Sequence, residues 1–250
     1  MHDAHIHRFG PEQGPLVLAL HGLTGHGRRW ADLARHQLPQ ARFIAPDLRG
    51  HGLADPLPPW TFEQIVDDLV ELLTEPAVVL AHSFGAAVAV HLARHRPDLV
   101  RALVLLDPAI GLDPALVAEI AEAGLARPDY ADIAAARQDK LSTAWAEVAP
   151  ELLEQELAEH LVPTTGGRVG WRMSLPAITS YWGQLARELV LPPPEVRTVV
   201  VRAEKAPFVT PATIAAFRTL PRFTLYEFDC DHMVAQARPA ETADIVRAVL

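Results

Sequence analysis

One serine stands where a strand pattern meets a helix pattern, a place suited to a nucleophile. Ser83 lies in the run AHSFG (residues 81–85), directly after the short apolar segment Ala77–Ala81. A serine at such a junction is held in a tight, strained turn that exposes its hydroxyl at the carboxyl edge of a sheet. Ala81 and Gly85 are small enough to let the strand and the helix approach each other closely. The pattern predicts a nucleophilic serine; the alternative is a serine that only caps the helix.

A glycine-rich loop earlier in the chain has the composition of an anion-stabilising loop. Residues 21–27 read HGLTGHG and follow an apolar strand pattern. Glycines let the backbone approach the nucleophile and point an N–H group at the oxygen of a bound carbonyl. We expect the backbone N–H groups of Leu23 and Phe84 to form this oxyanion hole. A dinucleotide-binding loop is disfavoured because the spacing does not match G-x-G-x-x-G.

Two further loops follow strand patterns and carry ionisable side chains. His232 lies in the run DCDHM (229–233) after the last strand pattern, and an imidazole there can swing over the sheet edge to accept the serine proton. The loop at 46–52 reads PDLRGHG and carries Asp47 and Arg49. We expect these two side chains to form an internal ion pair that shapes the loop rather than to act in catalysis.

Strand and helix patterns alternate along most of the chain. Strand-like apolar runs occur at 16–20, 42–45, 77–81, 100–106, 196–201 and 223–228, and helical patterns at 28–38, 62–73, 84–95, 210–219 and 239–250. Parallel strands need a crossover that a helix supplies, so the alternation predicts an α/β architecture with a mostly parallel, doubly wound sheet. Residues 6–9 and the turn at 10–15 predict an antiparallel hairpin at the sheet edge.

The alternation stops between about Pro108 and Leu191, where the sequence is rich in Ala, Leu and Glu. Helical periodicity at 112–124, 130–148 and 151–161 predicts an inserted helical cap over residues 108–190, with the sheet core formed by 1–107 and 191–250. Three of the five tryptophans, Trp145, Trp171 and Trp182, lie in this insertion. They either pack the cap's own core or line an apolar pocket beneath it.

Taken in chain order, these motifs resemble the α/β-hydrolase superfamily over the whole chain. The order is HG at 21–22, D-x-RGHG at 47–52, A-x-S-x-G at 81–85, a cap, and a late histidine. The resemblance implies that Ser83 is the nucleophile and His232 the general base, with Leu23 and Phe84 as the oxyanion hole. Ala81 replaces the commoner glycine of the serine motif, a departure that such hydrolases often tolerate. The superfamily contains many chemistries, so the fold alone does not select the substrate.

The acid that orients the histidine is not identified by these motifs. Most members of the superfamily carry an aspartate after the strand at 196–201, but here residues 202–207 read RAEKAP. Asp107, at the end of the preceding strand pattern, is similar to the alternative acid position of some lipases of this fold. A carboxylate there would orient the imidazole and stabilise it when protonated. The alternatives are a structural Asp107 at a helix cap or hinge, and Glu204 as the acid.

A metal-dependent alternative rests on the N-terminal residues. Asp3, His5 and His7 resemble the His-x-His strand of metal-dependent amidohydrolases, and residues two apart on a strand share a face. Those enzymes need further ligands at later strand ends, where this chain has Ser83 and Asp107 instead. We therefore expect no metal and no other cofactor, with His5 and His7 exposed on the edge hairpin.

Composition limits the partners and the location. The 250 residues carry a formal net charge of -9 with no block of Lys or Arg, which disfavours nucleic acid as a partner. No stretch approaches the length of a membrane span and the first residues lack a signal-peptide pattern, so we expect a cytoplasmic protein without membrane contact. Cys230, the only cysteine, is expected to be a small buried side chain. We expect a monomer or a homodimer.

The leading hypothesis for function is a cofactor-independent serine hydrolase that acts on a small-molecule acyl substrate through an acyl-enzyme, with carboxylesterase activity first. Lactones, thioesters and the C–C bonds of diketones would use the same residues. A hypothesis from a different class is a non-catalytic ligand receptor on the same fold, which the unassigned acid position motivates.

Overall fold

Strands and helices alternate through the computed structural model, which describes residues 5–250. In chain order the strands are β1 (Ile6–Phe9), β2 (Leu16–Leu20), β3 (Arg42–Pro46), β4 (Ala77–His82), β5 (Val100–Leu106), β6 (Leu161–Pro163), β7 (Val169–Trp171), β8 (Arg197–Ala203) and β9 (Phe223–Phe228). The α-helices are α1 (Phe62–Val70), α2 (Phe84–His95), α3 (Pro114–Ala126), α4 (Ile133–Leu141), α5 (Pro150–His160), α6 (Leu175–Leu185), α7 (Pro211–Phe217), α8 (Val234–Ala237) and α9 (Pro239–Arg247). The strands predicted at 16–20, 100–106 and 223–228 agree with the structure at both ends.

The chain between β2 and β3 does not form the single helix predicted over 28–38. It forms a 3-10 turn (Gly27–Trp30) followed by a π-helical turn (Leu33–Gln37). The Gly27 N–H donates to the Asp47 carboxylate at 2.7 Å. This bond anchors the first turn to the loop after β3.

The main sheet has the strand order β1-β3-β2-β4-β5-β8-β9. Neighbouring strands are parallel except β1 and β3, which are antiparallel. The prediction of a mostly parallel α/β sheet is confirmed. Residues 6–9 do form an antiparallel strand at the sheet edge, as predicted, but the hairpin with β2 is wrong. Because β3 and β4 flank β2 on both sides, β1 pairs with the remaining edge of β3 instead.

Side chains of the central strands alternate between two apolar layers. Leu16, Leu18 and Leu20 of β2 pack on one face of the sheet with α1 and α2, whereas Val17 and Ala19 pack on the other face with α9. Strands β2 and β4 are buried along their whole length, which explains why their sequences are continuous apolar runs. This double burial makes the carboxyl edge of the sheet a rigid platform for the loops that follow.

The segment between β5 and β8 contains α3 to α6 and the antiparallel pair β6–β7. Helices α3, α4 and α5 overlap the predicted helical segments, but α4 ends at Leu141 rather than continuing to 148. The β6–β7 pair and α6 were not predicted. The limits of a cap domain at 108–190 stay a prediction. Among residues 5–250, no helix is long and apolar enough to cross a membrane.

The tryptophans of this segment divide between two apolar clusters. Trp145 is buried in a cluster of the segment's own helices, and Trp171 packs against it. Trp182 packs against the core of the main sheet. Met233, from the loop after β9, joins the first cluster. The segment is therefore connected to the C-terminal loop through apolar contacts.

Candidate active site

Ser83 stands at the turn between β4 and α2, as predicted. Its backbone has φ 53° and ψ -117°, and its hydroxyl makes no capping bond to the helix, so the helix-cap alternative is wrong. A side chain at Gly85 would lie 2.6 Å from the His21 carbonyl oxygen and 2.7 Å from that of Leu20. Glycine is therefore required at position 85 for the helix to pack this closely on β2.

The structure brings Ser83, His232 and Asp107 into one hydrogen-bonded chain. The Ser83 hydroxyl donates to His232 Nε2 at 2.8 Å, and His232 Nδ1 donates to Asp107 Oδ2 at 2.5 Å. Both ring nitrogens of His232 are thereby occupied. Glu204, the other candidate acid, is exposed on the loop after β8 and does not contact the imidazole nitrogens.

Asp107 is held rigidly at the end of β5. Its side chain is fully buried, its N–H donates to the Val201 carbonyl at 2.7 Å, and its Oδ1 accepts the Ala203 N–H at 3.1 Å. A buried carboxylate that accepts from Nδ1 selects the tautomer of His232 with its lone pair on Nε2. That lone pair faces the Ser83 hydroxyl, so the imidazole is oriented to accept the serine proton.

His82 holds the loop that carries His232, a role that the sequence did not indicate. Its Nε2 donates to the His232 carbonyl oxygen at 2.8 Å, and the two rings lie 4.5 Å apart, with Phe208 4.4 Å from the His232 ring. Burial, with the nearby His232, lowers the pKa of His82 well below its usual value. A neutral His82 adds no positive charge beside the His232 imidazole.

The loop at 21–27 approaches Ser83 through its backbone. A side chain at Gly22 would lie 3.1 Å from Ser83 Cβ, and the turn closes through a 2.9 Å bond from the Gly25 N–H to the Gly22 carbonyl. The Leu23 N–H donates to no other group within residues 5–250. The N–H of Phe84, the first residue of α2, belongs to the unpaired donors of a helix N-terminus. Neither predicted oxyanion donor is therefore occupied by another group of the described residues.

Within residues 5–250, three non-glycine residues adopt positive φ, and all three belong to this region: Thr24 (63°), Ser83 (53°) and Asp107 (40°). Such conformations cost roughly 1–3 kcal/mol each and persist where the surrounding structure enforces them. Their concentration in the loops that meet at Ser83 is typical of a functional site.

His21 connects the glycine-rich loop to the loop after β3. Its Nδ1 donates to the Gly22 carbonyl at 2.8 Å, and its Nε2 accepts the Leu48 N–H at 2.9 Å. This donor and acceptor pattern requires a neutral ring. Burial and the neighbouring His51 lower the pKa of His21 well below its usual value, in agreement with that requirement.

The predicted ion pair between Asp47 and Arg49 is wrong, although both side chains do shape their loop. The Asp47 carboxylate accepts hydrogen bonds from the N–H groups of Gly27 (2.7 Å) and Leu53 (2.9 Å) and from His7 Nε2 (3.2 Å). Arg49 instead pairs with two other carboxylates, Asp68 and Asp55. The two side chains diverge because Asp47 is buried under the glycine-rich loop, where backbone donors satisfy it.

The metal-site alternative also finds no support in the geometry. The side chain of His7 is only 14% exposed because it binds Asp47, and His5 is partly buried, so the prediction that both are exposed is wrong. Asp3 lies outside the described residues. Among residues 5–250, no group of three His, Cys, Asp or Glu side chains is arranged to hold a metal ion.

A family model described as the alpha/beta hydrolase family matches residues 16–245. The chain belongs to the alpha/beta hydrolase family. This alpha/beta hydrolase is 50% identical to Lipase LipV of Mycobacterium tuberculosis over 99% of this chain and 98% of that protein. It is 31% identical to the sn-1-specific diacylglycerol lipase ABHD11 of Mus musculus, covering 67% of this chain and 57% of that protein. The prediction that the chain is a hydrolase enzyme is confirmed.

Solved structures share the fold of this alpha/beta hydrolase along almost the whole chain. An E-2-(acetamidomethylene)succinate hydrolase has a TM-score of 0.81 at 24% identity, covering 98% of this chain and 93% of that chain. A marine microorganism esterase has a TM-score of 0.77 at 19% identity, covering 98% of each chain. At these identities the likeness concerns the fold alone.

Proposed function

We propose that this protein hydrolyses carboxylic esters through an acyl-enzyme formed on Ser83. The observation that carries the proposal is the continuous hydrogen-bonded chain from Ser83 through His232 to the buried carboxylate of Asp107. Such a chain is the arrangement that activates a serine hydroxyl at neutral pH.

In the first half of the reaction His232 Nε2 accepts the hydroxyl proton while Ser83 Oγ attacks the ester carbonyl carbon. The carbonyl oxygen becomes an oxyanion, which the N–H groups of Leu23 and Phe84 stabilise. One such donor is typically worth about 3 kcal/mol in the transition state. The C–O bond to the leaving group then breaks, and the imidazolium gives its proton to the departing alcohol.

In the second half a water molecule attacks the acyl carbon while His232 accepts its proton. The acid product is released when the proton returns to Ser83 Oγ. Asp107 stabilises the imidazolium in both halves without accepting a proton itself. These steps need only residues of this chain, and we propose that activity persists after dialysis against EDTA.

An ester is the preferred substrate class because the 50% identical relative is named a lipase. The segment at 108–190, packed beside the His232 loop through Met233, would cover the acyl group as a cap. Lactones and thioesters would react with the same residues. The hypothesis of a non-catalytic receptor is disfavoured because its motivation was the unassigned acid, and Asp107 provides a carboxylate at the required distance.

The proposal is tested by treating the protein with a fluorophosphonate probe and locating the adduct by mass spectrometry, with Ser83→Ala as the control. We expect one adduct on Ser83, and none in the variant. A panel of p-nitrophenyl esters from acetyl to palmitoyl, with lactones and acyl thioesters, would assign the substrate class. A protein that is not labelled and hydrolyses none of these compounds would support the receptor hypothesis instead.

The cytoplasmic location, the lack of nucleic-acid and membrane partners, and the choice between monomer and homodimer stay predictions from composition. Cell fractionation and size-exclusion chromatography with light scattering would check them.

A further inference from the structure

A buried carboxylate connects helix α5 to the glycine-rich loop. The Glu156 side chain is 1% exposed. It accepts hydrogen bonds from His26 Nε2 at 2.9 Å, from Arg29 Nε at 3.2 Å and from Arg29 Nη2. The Lys140 ammonium lies 4.0 Å away. Glu156 thus joins α5, a helix of the segment at 108–190, to residues more than one hundred positions earlier in the chain.

The Arg29 guanidinium reaches from Glu156 to the turn that carries the Leu23 N–H. Its Nη2 donates to the Thr24 carbonyl at 3.4 Å. A side chain at Gly25 would lie 2.9 Å from Arg29 Nη1, so the guanidinium packs directly on the turn. Arg29 therefore contacts both residues that follow Leu23 in the chain.

The charge state of the cluster favours a tight contact. Burial by itself would raise the pKa of Glu156, but the charge of Arg29, the hydrogen bond from His26 and the nearby Lys140 lower it well below its usual value. The carboxylate is therefore ionised at neutral pH, and its bonds to Arg29 are charge-assisted. Removal of one partner from such a buried pair leaves the other charge unpaired, which forces the remaining group to move.

We propose that Glu156 is a positioning residue for the oxyanion hole. It holds the Arg29 guanidinium against Thr24 and Gly25, and so fixes the direction of the Leu23 N–H at the edge of the active site. The proposal rests on the proposed function, because it assigns Leu23 a role in stabilising the oxyanion. Its consequence is that α5 must be docked for the oxyanion hole to be complete.

The test compares Glu156→Gln with Glu159→Gln. Glu159 lies on the same helix and forms a more exposed ion pair with Arg28 at 2.9 Å, so it also joins α5 to the 27–30 turn without touching residues 22–25. Arg29 donates to both oxygens of Glu156, so a glutamine amide in either orientation places an N–H against one guanidinium N–H. The substitution keeps the shape of the side chain but removes its negative charge and one of the two hydrogen bonds that it accepts from Arg29.

With a p-nitrophenyl ester, we expect Glu156→Gln to lower kcat by about tenfold to a hundredfold with little change in KM, because only the transition state carries the oxyanion. Affinity for a trifluoromethyl ketone, which forms a tetrahedral oxyanion on the serine, should fall by a similar factor. Glu159→Gln should change each quantity by less than about twofold.

If Glu156 only stabilises the fold and does not position the Leu23 N–H, the result is different. In that case Glu156→Gln lowers the unfolding temperature but leaves kcat and the ketone affinity of the folded protein unchanged, which overturns the proposal. Arg29→Lys provides a second variant if Glu156→Gln does not fold, since lysine keeps the charge but cannot make the bidentate contact with Glu156. A wild-type protein that neither reacts with the fluorophosphonate nor hydrolyses esters refutes the proposed function itself, whereas an active wild type with an unaffected Glu156→Gln refutes only this inference.

Discussion

Replacement of Asp107 by asparagine tests the proton-transfer chain at its buried end. The Ala203 N–H donates to Oδ1 of Asp107 at 3.1 Å, so the asparagine oxygen is held in that position and the amide NH₂ faces His232. An NH₂ group opposite Nδ1 requires a lone pair there, which moves the ring proton to Nε2. His232 in this tautomer cannot accept the Ser83 proton.

We expect Asp107→Asn to lower kcat/KM by about 10⁴-fold, the loss typical of a triad histidine in the wrong tautomer. That factor corresponds to about 5.5 kcal/mol of transition-state stabilisation. The measurement is the initial rate of p-nitrophenyl ester hydrolysis, together with the rate constant of fluorophosphonate labelling, which reports the nucleophilicity of Ser83. The volume of the side chain is unchanged, so the folded structure is expected to persist, and circular dichroism would verify it.

Glu204→Gln is the matched control, because it makes the same carboxylate-to-amide change on the exposed loop after β8. It should alter kcat/KM by less than about twofold. The reasoning is refuted if Asp107→Asn retains more than about a tenth of the wild-type activity, or if the two variants lose activity in the opposite order.

Two further predictions concern buried ionisable groups. Burial lowers the pKa of His51 to about 4, so the folded state binds fewer protons than the unfolded state between that value and the ordinary 6.5, and stability falls with acid in this window. The slope is about 1.4 kcal/mol per pH unit. In urea titrations, the difference in the free energy of unfolding between the wild type and His51→Gln should therefore change by roughly 2 kcal/mol, to the disadvantage of the wild type, from about pH 7 to about pH 5. A difference that does not change with pH would contradict this expectation. Burial lowers the pKa of Lys140 from 10.5 to about 8, so the folded state disfavours its charge and stability rises with pH through that interval. Lys140→Met should therefore stabilise the protein at neutral pH by up to roughly 3 kcal/mol, with the gain fading near pH 10, and a destabilised variant at neutral pH would contradict this.

The part of the site that the sequence could predict is the part encoded by neighbouring residues. The apolar run of β4, the small residues at 81 and 85 and the helix pattern after Ser83 describe one continuous strand-turn-helix, so the position of the serine followed from local sterics. The same holds for most strands, since burial on both faces of a parallel sheet leaves a continuous apolar run.

Pairing between segments that are far apart in the chain was harder to predict from the sequence. The partner of β1 could not be read from its own residues, because any edge strand offers the same donors and acceptors, and occupation of both edges of β2 decided the outcome. Asp47 and Arg49 illustrate the same limit, since their spacing suggested one pair but burial of Asp47 under Gly27 gave each a different partner.

The sequence by itself determined a mostly parallel α/β sheet, a serine at a strained turn and a histidine on the last loop, because these depend on local periodicity and on the order of elements in the chain. Only the tertiary structure placed Asp107 rather than Glu204 against the His232 imidazole, and only it placed Glu156 and Arg29 beside the glycine-rich loop. The physical reason is that hydrogen bonds and ion pairs act over about 3 Å, a distance that depends on how the strand ends and α5 pack rather than on separation along the chain.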